Sequence, residues 1–263
     1  MKPLAQFDCC AIDPAVDSAN QTIESSAKAS TDPAPVLKDG DRGVILQRDR
    51  RTYAVVPHVP CGVVTSDQLR RIAAVADQFG CQALKITNAQ RIALVGLRQD
   101  QVDAVWAALD LPTGHAVGDC VRSVKACPGT TFCKRGQRDS LAVGQTLDRL
   151  QHGRKLPAKF KIGVSGCPNQ CSETAIKDLG LVGSRNGWDV WVGGSGGVAP
   201  RLAVRLARQL DDDTAIATVG RILDYYEHEA KPKERFFKFI ARIGLDQLAR
   251  VLGLPAPEQP QPA

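Results

Sequence analysis

The sequence predicts an α+β protein of two successive blocks. Three observations predict it. Hydrophobic residues make up 43% of the 263, enough to bury a core in one large domain or two small ones. From about residue 44 to 112, apolar spacing alternates between the periods of a strand and a helix, in the order β-α-β-α. From 113 to 253, two cysteine pairs each sit where a loop runs into a predicted helix, with further strand and helix segments behind them.

The elements follow in chain order. Residues 1–43 read as a disordered leader, rich in Ala, Ser, Asp and Pro without periodicity. Their start has an early Asp8 and no long apolar run, so it does not read as a secretory signal. In the first block, 52–56 is a strand. Ser66 starts a helix with Leu69, Ile72, Ala73, Ala76 and Phe79 on one face and Gly80 as its stop. Residues 84–97 form a strand and 99–109 a second helix. On that long strand Leu84, Ile86, Ile92 and Leu94 share one side; Lys85, Thr87, Ala89 and Arg91 share the other if no bulge intervenes. A cationic face of this kind is a solvated surface by default and an anion pocket as the alternative. In the second block, helices are expected at 138–150 and 172–177, a strand at 188–192 ending in a glycine run at 193–197, and helices at 201–210, 215–229 and 234–251. Residues 254–263 form an extended, Pro-rich tail.

Composition narrows the function. No apolar run approaches the length of a transmembrane helix. A cytoplasmic location is the expectation, with the nine cysteines as thiols or metal ligands and not disulfides. The net charge of +6 comes without a basic run, and aromatics are only 5%. Neither a nucleic-acid stripe nor stacking platforms are visible, and a small anionic ligand explains the charge as well.

The cysteines carry the chemistry. Cys127 and Cys133 are spaced C-x5-C; Cys167 and Cys171 are spaced C-x3-C. Zinc sites favour C-x2-C pairs, and so do thioredoxin-type redox pairs. An iron–sulfur cluster needs four thiolates, and thiolates are favoured at helix N-termini. Four unrelated buried cysteines are the competing reading, since free cysteine packs as a small hydrophobe. Cys9, Cys10, Cys61, Cys81 and Cys120 read as loop or core filling, Cys120 being the most plausible decoy. The run Gly193-Gly-Ser-Gly-Gly197 does not fit the dinucleotide pattern G-x-G-x-x-G.

With these residues in view, the run Val164-Ser-Gly-Cys-Pro-Asn-Gln-Cys171 behind Cys127-x5-Cys133 resembles the siroheme and [4Fe-4S] motif of the sulfite and nitrite reductases. Leu156-Pro-Ala-Lys159-Phe-Lys161 resembles the paired-lysine strand of that family, and Lys85-Ile-Thr-Asn-Ala-Gln-Arg91 the strand of its ferredoxin-like half-domain. Asp178-Leu-Gly-Leu-Val-Gly183 and Val192-Gly-Gly194 match in kind. The resemblance spans about residues 52–248. It implies a ferredoxin-like half-domain at 44–112 followed by a siroheme and [4Fe-4S] α+β domain at 113–253.

The resemblance also implies roles. Cys127, Cys133, Cys167 and Cys171 would hold the [4Fe-4S] cluster, with Cys171 bridging to the siroheme iron and Asn169 among the cofactor-binding residues. Lys159 and Lys161, two apart and so on one face of a strand, would neutralise sulfite or nitrite and donate protons, with Arg91 and Arg122 in the same pocket. Arg201 and Arg205 either pair with siroheme carboxylates or are ordinary exposed helix arginines. The activity implied is six-electron reduction of sulfite to sulfide, with nitrite to ammonia as the close alternative and a [4Fe-4S] electron carrier without siroheme as the rival class. No flavin, nicotinamide or second-cluster module is visible, so electrons are expected from a separate ferredoxin or flavoprotein. Two departures stand out. Sulfite-reducing relatives place an arginine where this chain has Ala89. Larger relatives carry the two-block unit twice, with the pocket between copies; a single copy here implies a homodimer.

Overall fold

The computed structural model describes residues 36–257. Two antiparallel strands, β1 (Val44–Leu46) and β2 (Tyr53–Val55), come first among the described strands. Helix α1 (Ser66–Gln78) follows, then the hairpin of β3 (Ala83–Ile86) and β4 (Ile92–Leu97), and helix α2 (Val102–Leu109). The four strands form one antiparallel sheet in the order β1-β2-β4-β3. One face packs on the two helices through Tyr53, Val55, Ile72, Val75, Leu94, Leu97, Val105 and Leu109.

The second block holds β5 (Lys125–Ala126), the short helix α3 (Gly129–Phe132), α4 (Ser140–Gln151) and β6 (Ile162–Ser165). Then come β7 (Leu179–Ser184), β8 (Gly187–Val192), β9 (Val204–Leu210), and helices α5 (Asp212–Glu229), α6 (Phe236–Ile243) and α7 (Leu245–Val251). The sheet order is β5-β6-β7-β8-β9. β5, β6 and β7 run parallel, while β7-β8 and β8-β9 are antiparallel. Its core is dominated by Trp188, Phe160, Tyr226, Phe236 and Phe239, all buried. Cys61 sits in this second core, not in the first: a 3-10 turn at Pro60–Gly62 carries it across to α4. Burial there pushes its thiol up to about 12, an inert filling residue.

Several expected elements differ. The α1 cap is Thr65, not Ser66: its hydroxyl accepts from Gln68 N at 3.1 Å, and the Gln68 side chain accepts from Thr65 N at 2.9 Å. Val75 takes the buried face with Ile72 and Ala76, leaving Leu69 and Ala73 exposed. The strand expected at 84–97 is a hairpin. Thr87 N donates to Arg91 O at 2.8 Å, and Gln90 takes φ 57 between them. Alternating apolar residues pair across the two arms, Leu84 with Leu94 and Ile86 with Ile92, so alternation alone could not reveal the turn.

The segment expected as a helix at 201–210 is β9. Leu202, Leu206 and Leu210 recur every four residues, a spacing that suits a helix face and also one face of a strand. The open edge of β8 supplies the ladder bonds and overrides propensity. Residues 172–177 make only a 3-10 turn at Thr174–Ile176, because Glu173 stands in the left-handed region at φ 57. The helix at 234–251 breaks at Gly244, φ 87. Of the leader, residues 1–35 lie outside the described residues, as do Cys9 and Cys10. Residues 36–43 are docked: Leu37 N donates to Gln99 Oε1 at 3.1 Å, and Leu46 N to Asp39 Oδ1 at 2.8 Å. Of the tail expected at 254–263, residues 254–257 line a cavity together with β9, and 258–263 lie outside the described residues.

Because the capping box closes two orphan amides at once, Thr65→Ala is expected to cost about 1 kcal/mol. Urea unfolding of the variant beside the parent checks this, with an unchanged slope.

Candidate active site

Both cysteine loops leave the same end of the five-stranded sheet. Ala126 lies level with Val164 in the parallel pairing, so Cys127 and Cys167 emerge side by side. Carboxyl ends of parallel strands are where open α/β sheets hold ligands. The loops are laced together. Cys127 N donates to Val164 O at 3.1 Å, and Gly166 N donates to Cys127 Sγ at 3.2 Å. Ser140 Oγ stands 3.2 Å from the same sulfur and donates to Cys127 O at 2.8 Å. Gln137 N and Arg138 N both donate to Gly166 O, at 2.8 and 3.0 Å. Gly166 must be glycine here: a Cβ would lie 2.6 Å from Arg138 O and 2.8 Å from Gly129 Cα.

Cys127 and Cys167 are buried, Cys133 is half-buried and Cys171 is exposed. Cys167 and Cys171 share a turn, not a helix face: Gln170 N donates to Cys167 O at 3.2 Å, with Gln170 at φ 51. Pro168 therefore starts no helix. Asn169 lines an open cavity of about 560 Å³ together with Cys167, Lys134, Arg135 and Arg185. Among the described residues, no three His, Cys, Asp or Glu side chains converge on one metal ion. A cubane asks for something else, a separate thiolate at each corner iron. A sulfur already accepting a backbone amide, on a loop closed by glycine, fits that demand.

A second cavity, of about 250 Å³, is lined by Arg91, Arg122, Lys125, Lys159, Lys161 and Lys177, with Asn88, Ala89 and Ala116. Arg91 is buried, contrary to the solvated face expected for its segment, because the hairpin turns it inward. Burial, and then the neighbouring Arg122, lower its guanidinium to about 10. The Nε atoms of Arg91 and Arg122 are buried without a partner. Lys159 and Lys161 flank the buried Phe160, so both ammonium groups do share one face. Burial, then Lys177 and Lys159, hold the Lys161 ammonium below its ordinary value. The carboxylate bridging this field is Glu173, 3.1 Å from Lys125 and 2.9 Å from Lys177. The Lys177 hydrogen bond leads in lowering it to about 2. So many cations around one concavity fit an anion or a polycarboxylate macrocycle.

Arg201 and Arg205 are not in this cavity. Arg201 lies over the Phe237 ring at 5.2 Å. Arg205 lies 5.6 Å over Trp191 and 3.5 Å from Asp189 Oδ2, on a strand and not a helix. Cys120, buried beside Val117 O, stands apart from the laced loops. Sequence reasoning missed Lys125, Lys177 and Gln90. Lys125 could have been found two residues before Cys127. The Gln90 side chain exchanges two hydrogen bonds with the backbone of Ala126, at 2.9 and 3.1 Å, and so plugs the hairpin tip into the free edge of β5. No local signal marks it.

Residues 45–111 match the family model described as the nitrite/sulfite reductase ferredoxin-like half domain, and 117–260 match the nitrite and sulphite reductase 4Fe-4S domain. The chain belongs to the nitrite and sulfite reductase family. It is an oxidoreductase of that family, whose cofactors are a [4Fe-4S] cluster and siroheme. An assimilatory-type sulfite reductase of Nitratidesulfovibrio vulgaris is 40% identical over 218 residues, 82% of this chain and 100% of the relative. A nitrite reductase [NAD(P)H] of Bacillus subtilis is 39% identical over 214 residues, 81% of this chain but 26% of the relative. The fold also matches solved structures. Dissimilatory sulfite reductase I aligns with TM-score 0.70 at 15% identity, over 81% of this chain and 72% of that one. The NirA protein of Mycobacterium tuberculosis aligns with TM-score 0.69 at 22% identity, over 80% and 42%. In this family member no helix among the described residues is long and apolar enough to cross a membrane.

Behind the cavity, burial and then the neighbouring His58 lower the His152 imidazole to about 4. The unfolded chain, titrating near 6.5, binds a proton that the folded chain refuses between these values. Stability is therefore full above about 6.5 and lost as pH falls toward 4. Thermal melts of the reductase are expected to show Tm falling from pH 7 to 5, with a shallower fall in His152→Leu.

Proposed function

We propose that this protein reduces sulfite to sulfide at the basic cavity, with Cys127, Cys133, Cys167 and Cys171 as ligands of the [4Fe-4S] cluster and Cys171 as the link to siroheme. The observation that carries the reading is the cavity itself: six cationic side chains around about 250 Å³, in a chain of which 82% is similar to the full length of an assimilatory-type sulfite reductase. The balance requires six electrons and six protons for each sulfite, with three waters released. When bound, the cofactors supply single electrons and an iron that holds the anion. The chain's own residues supply the rest. Arg91 and Arg122 offset the oxyanion charge through charge-assisted hydrogen bonds. Lys161, its ammonium destabilised by burial and by Lys177 and Lys159, gives up a proton more readily than a free lysine. Glu173 pairs with Lys125 and Lys177 and holds their side chains at the cavity wall. Nitrite is the second reading, favoured by Ala89 on the cavity wall and by the 39% identity to a nitrite reductase.

We further propose a homodimer. Lys159 and Lys161 precede β6, whereas Cys167 lies beyond its far end. The four residues of β6, about 13 Å at 3.3 Å per residue, stand between the lysine pair and the cysteine loop. One copy's lysines therefore suit the siroheme of the other copy. Lys134, Arg135 and Arg185 beside the cysteine loops favour an acidic electron donor, such as a ferredoxin or flavoprotein, as a separate partner in the cytoplasm.

Two experiments test these readings. Cys171→Ser is expected to lose the red siroheme bands and all turnover, while Cys120→Ser keeps both; equal losses would refute the ligand choice. For the dimer, Lys159→Ala/Lys161→Ala and Cys171→Ser are each expected to be inactive alone. Mixed under exchanging conditions they should regain about a quarter of wild-type turnover, since half the dimers are hybrid and one of their two sites is intact. Absence of any recovery in verified mixed dimers overturns the shared site.

A further inference from the structure

Three of the chain's four histidines meet behind the cavity, in a cluster that no step above uses. His58 follows β2, His115 lies on the segment joining the two blocks, and His152 ends α4. The His58 and His152 rings stack at 3.6 Å and 9°. His115 packs edge-on against His152 at 4.9 Å and 69°. Asp148, on α4 and 1% exposed, anchors the stack. Its Oδ2 lies 2.6 Å from His58 Nε2, and its Oδ1 accepts from Val124 N at 2.8 Å. That carboxylate fixes the His58 proton on Nε2 and leaves Nδ1 facing the Ser123 hydroxyl at 3.3 Å.

The stack leans on the strap of residues 114–116. Gly114 O faces the His152 ring and accepts from Arg91 Nη1. The next carbonyl, His115 O, accepts from Arg122 Nη1 at 2.9 Å. Ala116 then lines the cavity. Backbone bonds tie the same strap to the His58 segment: His58 N donates to Pro112 O at 2.7 Å, and Gly114 N to Val56 O at 2.9 Å. Two arginines with buried, unpartnered Nε atoms thus take their aim from this segment, Arg91 from Gly114 O, and Arg122 from His115 O together with Gly118 O at 2.8 Å.

We propose that His58, His115 and His152 are positioning residues: anchored on Asp148, they brace the strap whose carbonyls aim Arg91 and Arg122 into the anion cavity. The inference rests on the sulfite or nitrite reading of that cavity. A proton path is a poorer account, because the cluster meets the arginines through carbonyl oxygens, which accept protons but have none to pass on. A metal site is poorer too, since Asp148 occupies His58 Nε2 and no three candidate ligands among the described residues converge on one ion.

The test uses the holoenzyme. His115→Ala, at an exposed side chain, and His58→Ala are each expected to raise KM for the reducible anion about tenfold, with kcat within twofold and siroheme bands and iron content unchanged. Added imidazole should restore part of the loss in His58→Ala. Both variants should also lose most of the Tm rise that sulfite gives the wild type, a readout that does not need turnover. An unchanged KM and an unchanged Tm rise in His115→Ala overturn the proposal, as does a fall in kcat at constant KM. If His58→Ala fails to fold, His115→Ala decides alone. A wild type that gains Tm with sulfite but reduces neither anion sinks the functional reading and leaves the strap to be judged by the Tm rise.

Discussion

The hydrogen bonds that lace Cys127 to the loop after β6 are the constraint on which the rest depends. The parallel register of Ala126 with Val164 puts two loops abreast, and the Gly166 amide then points at the Cys127 sulfur. A sulfur that accepts a backbone amide is held in one orientation. Every neighbouring choice follows. Gly166 has no room for a side chain, Ser140 spends its hydroxyl on Cys127, and α4 starts where Asp139 accepts from Ala142 N at 3.0 Å.

The same strand couples the two blocks. β5 is only two residues long and stands at the edge of its sheet. Such an edge would be left with unpaired backbone groups. Gln90 closes it from the other block, and Gln90 lies between Ala89 and Arg91 of the cavity wall. The cysteine loop and the basic cavity are thereby built on one hydrogen-bonded piece of backbone.

Electrostatics explains why the cavity needs such bracing. Six cations facing one space repel each other, and the cost is met partly by Glu173 and partly by carbonyls of the strap. A further buried carboxylate, Asp178, binds Arg235 at 3.0 Å and accepts from Lys161 N at 2.9 Å. It secures the backbone of the lysine segment just ahead of β6 and leaves the Lys161 side chain on the cavity wall. Folding such a site without its anion sacrifices stability for function, a pattern common where charge must be ready for a ligand.

The α+β class, the two blocks and the four cysteines with the lysine pair were legible in the sequence, because spacing is local. A C-x5-C and a C-x3-C can be counted, and Lys159 and Lys161 share a face in any extended backbone. What misled was equally physical. Leucines four apart suited both a helix and β9, and alternation across 84–97 concealed a turn that buries Arg91. Gln90, Lys177, Glu173 and the three histidines carry no local signature. They come from five separate segments and acquire their roles only when the parallel strands, the hairpin and the strap at 114–116 close on one another. The sequence by itself determined which chemistry the chain carries; tertiary structure alone decided where the charges face, because hydrogen bonds between distant segments set those directions.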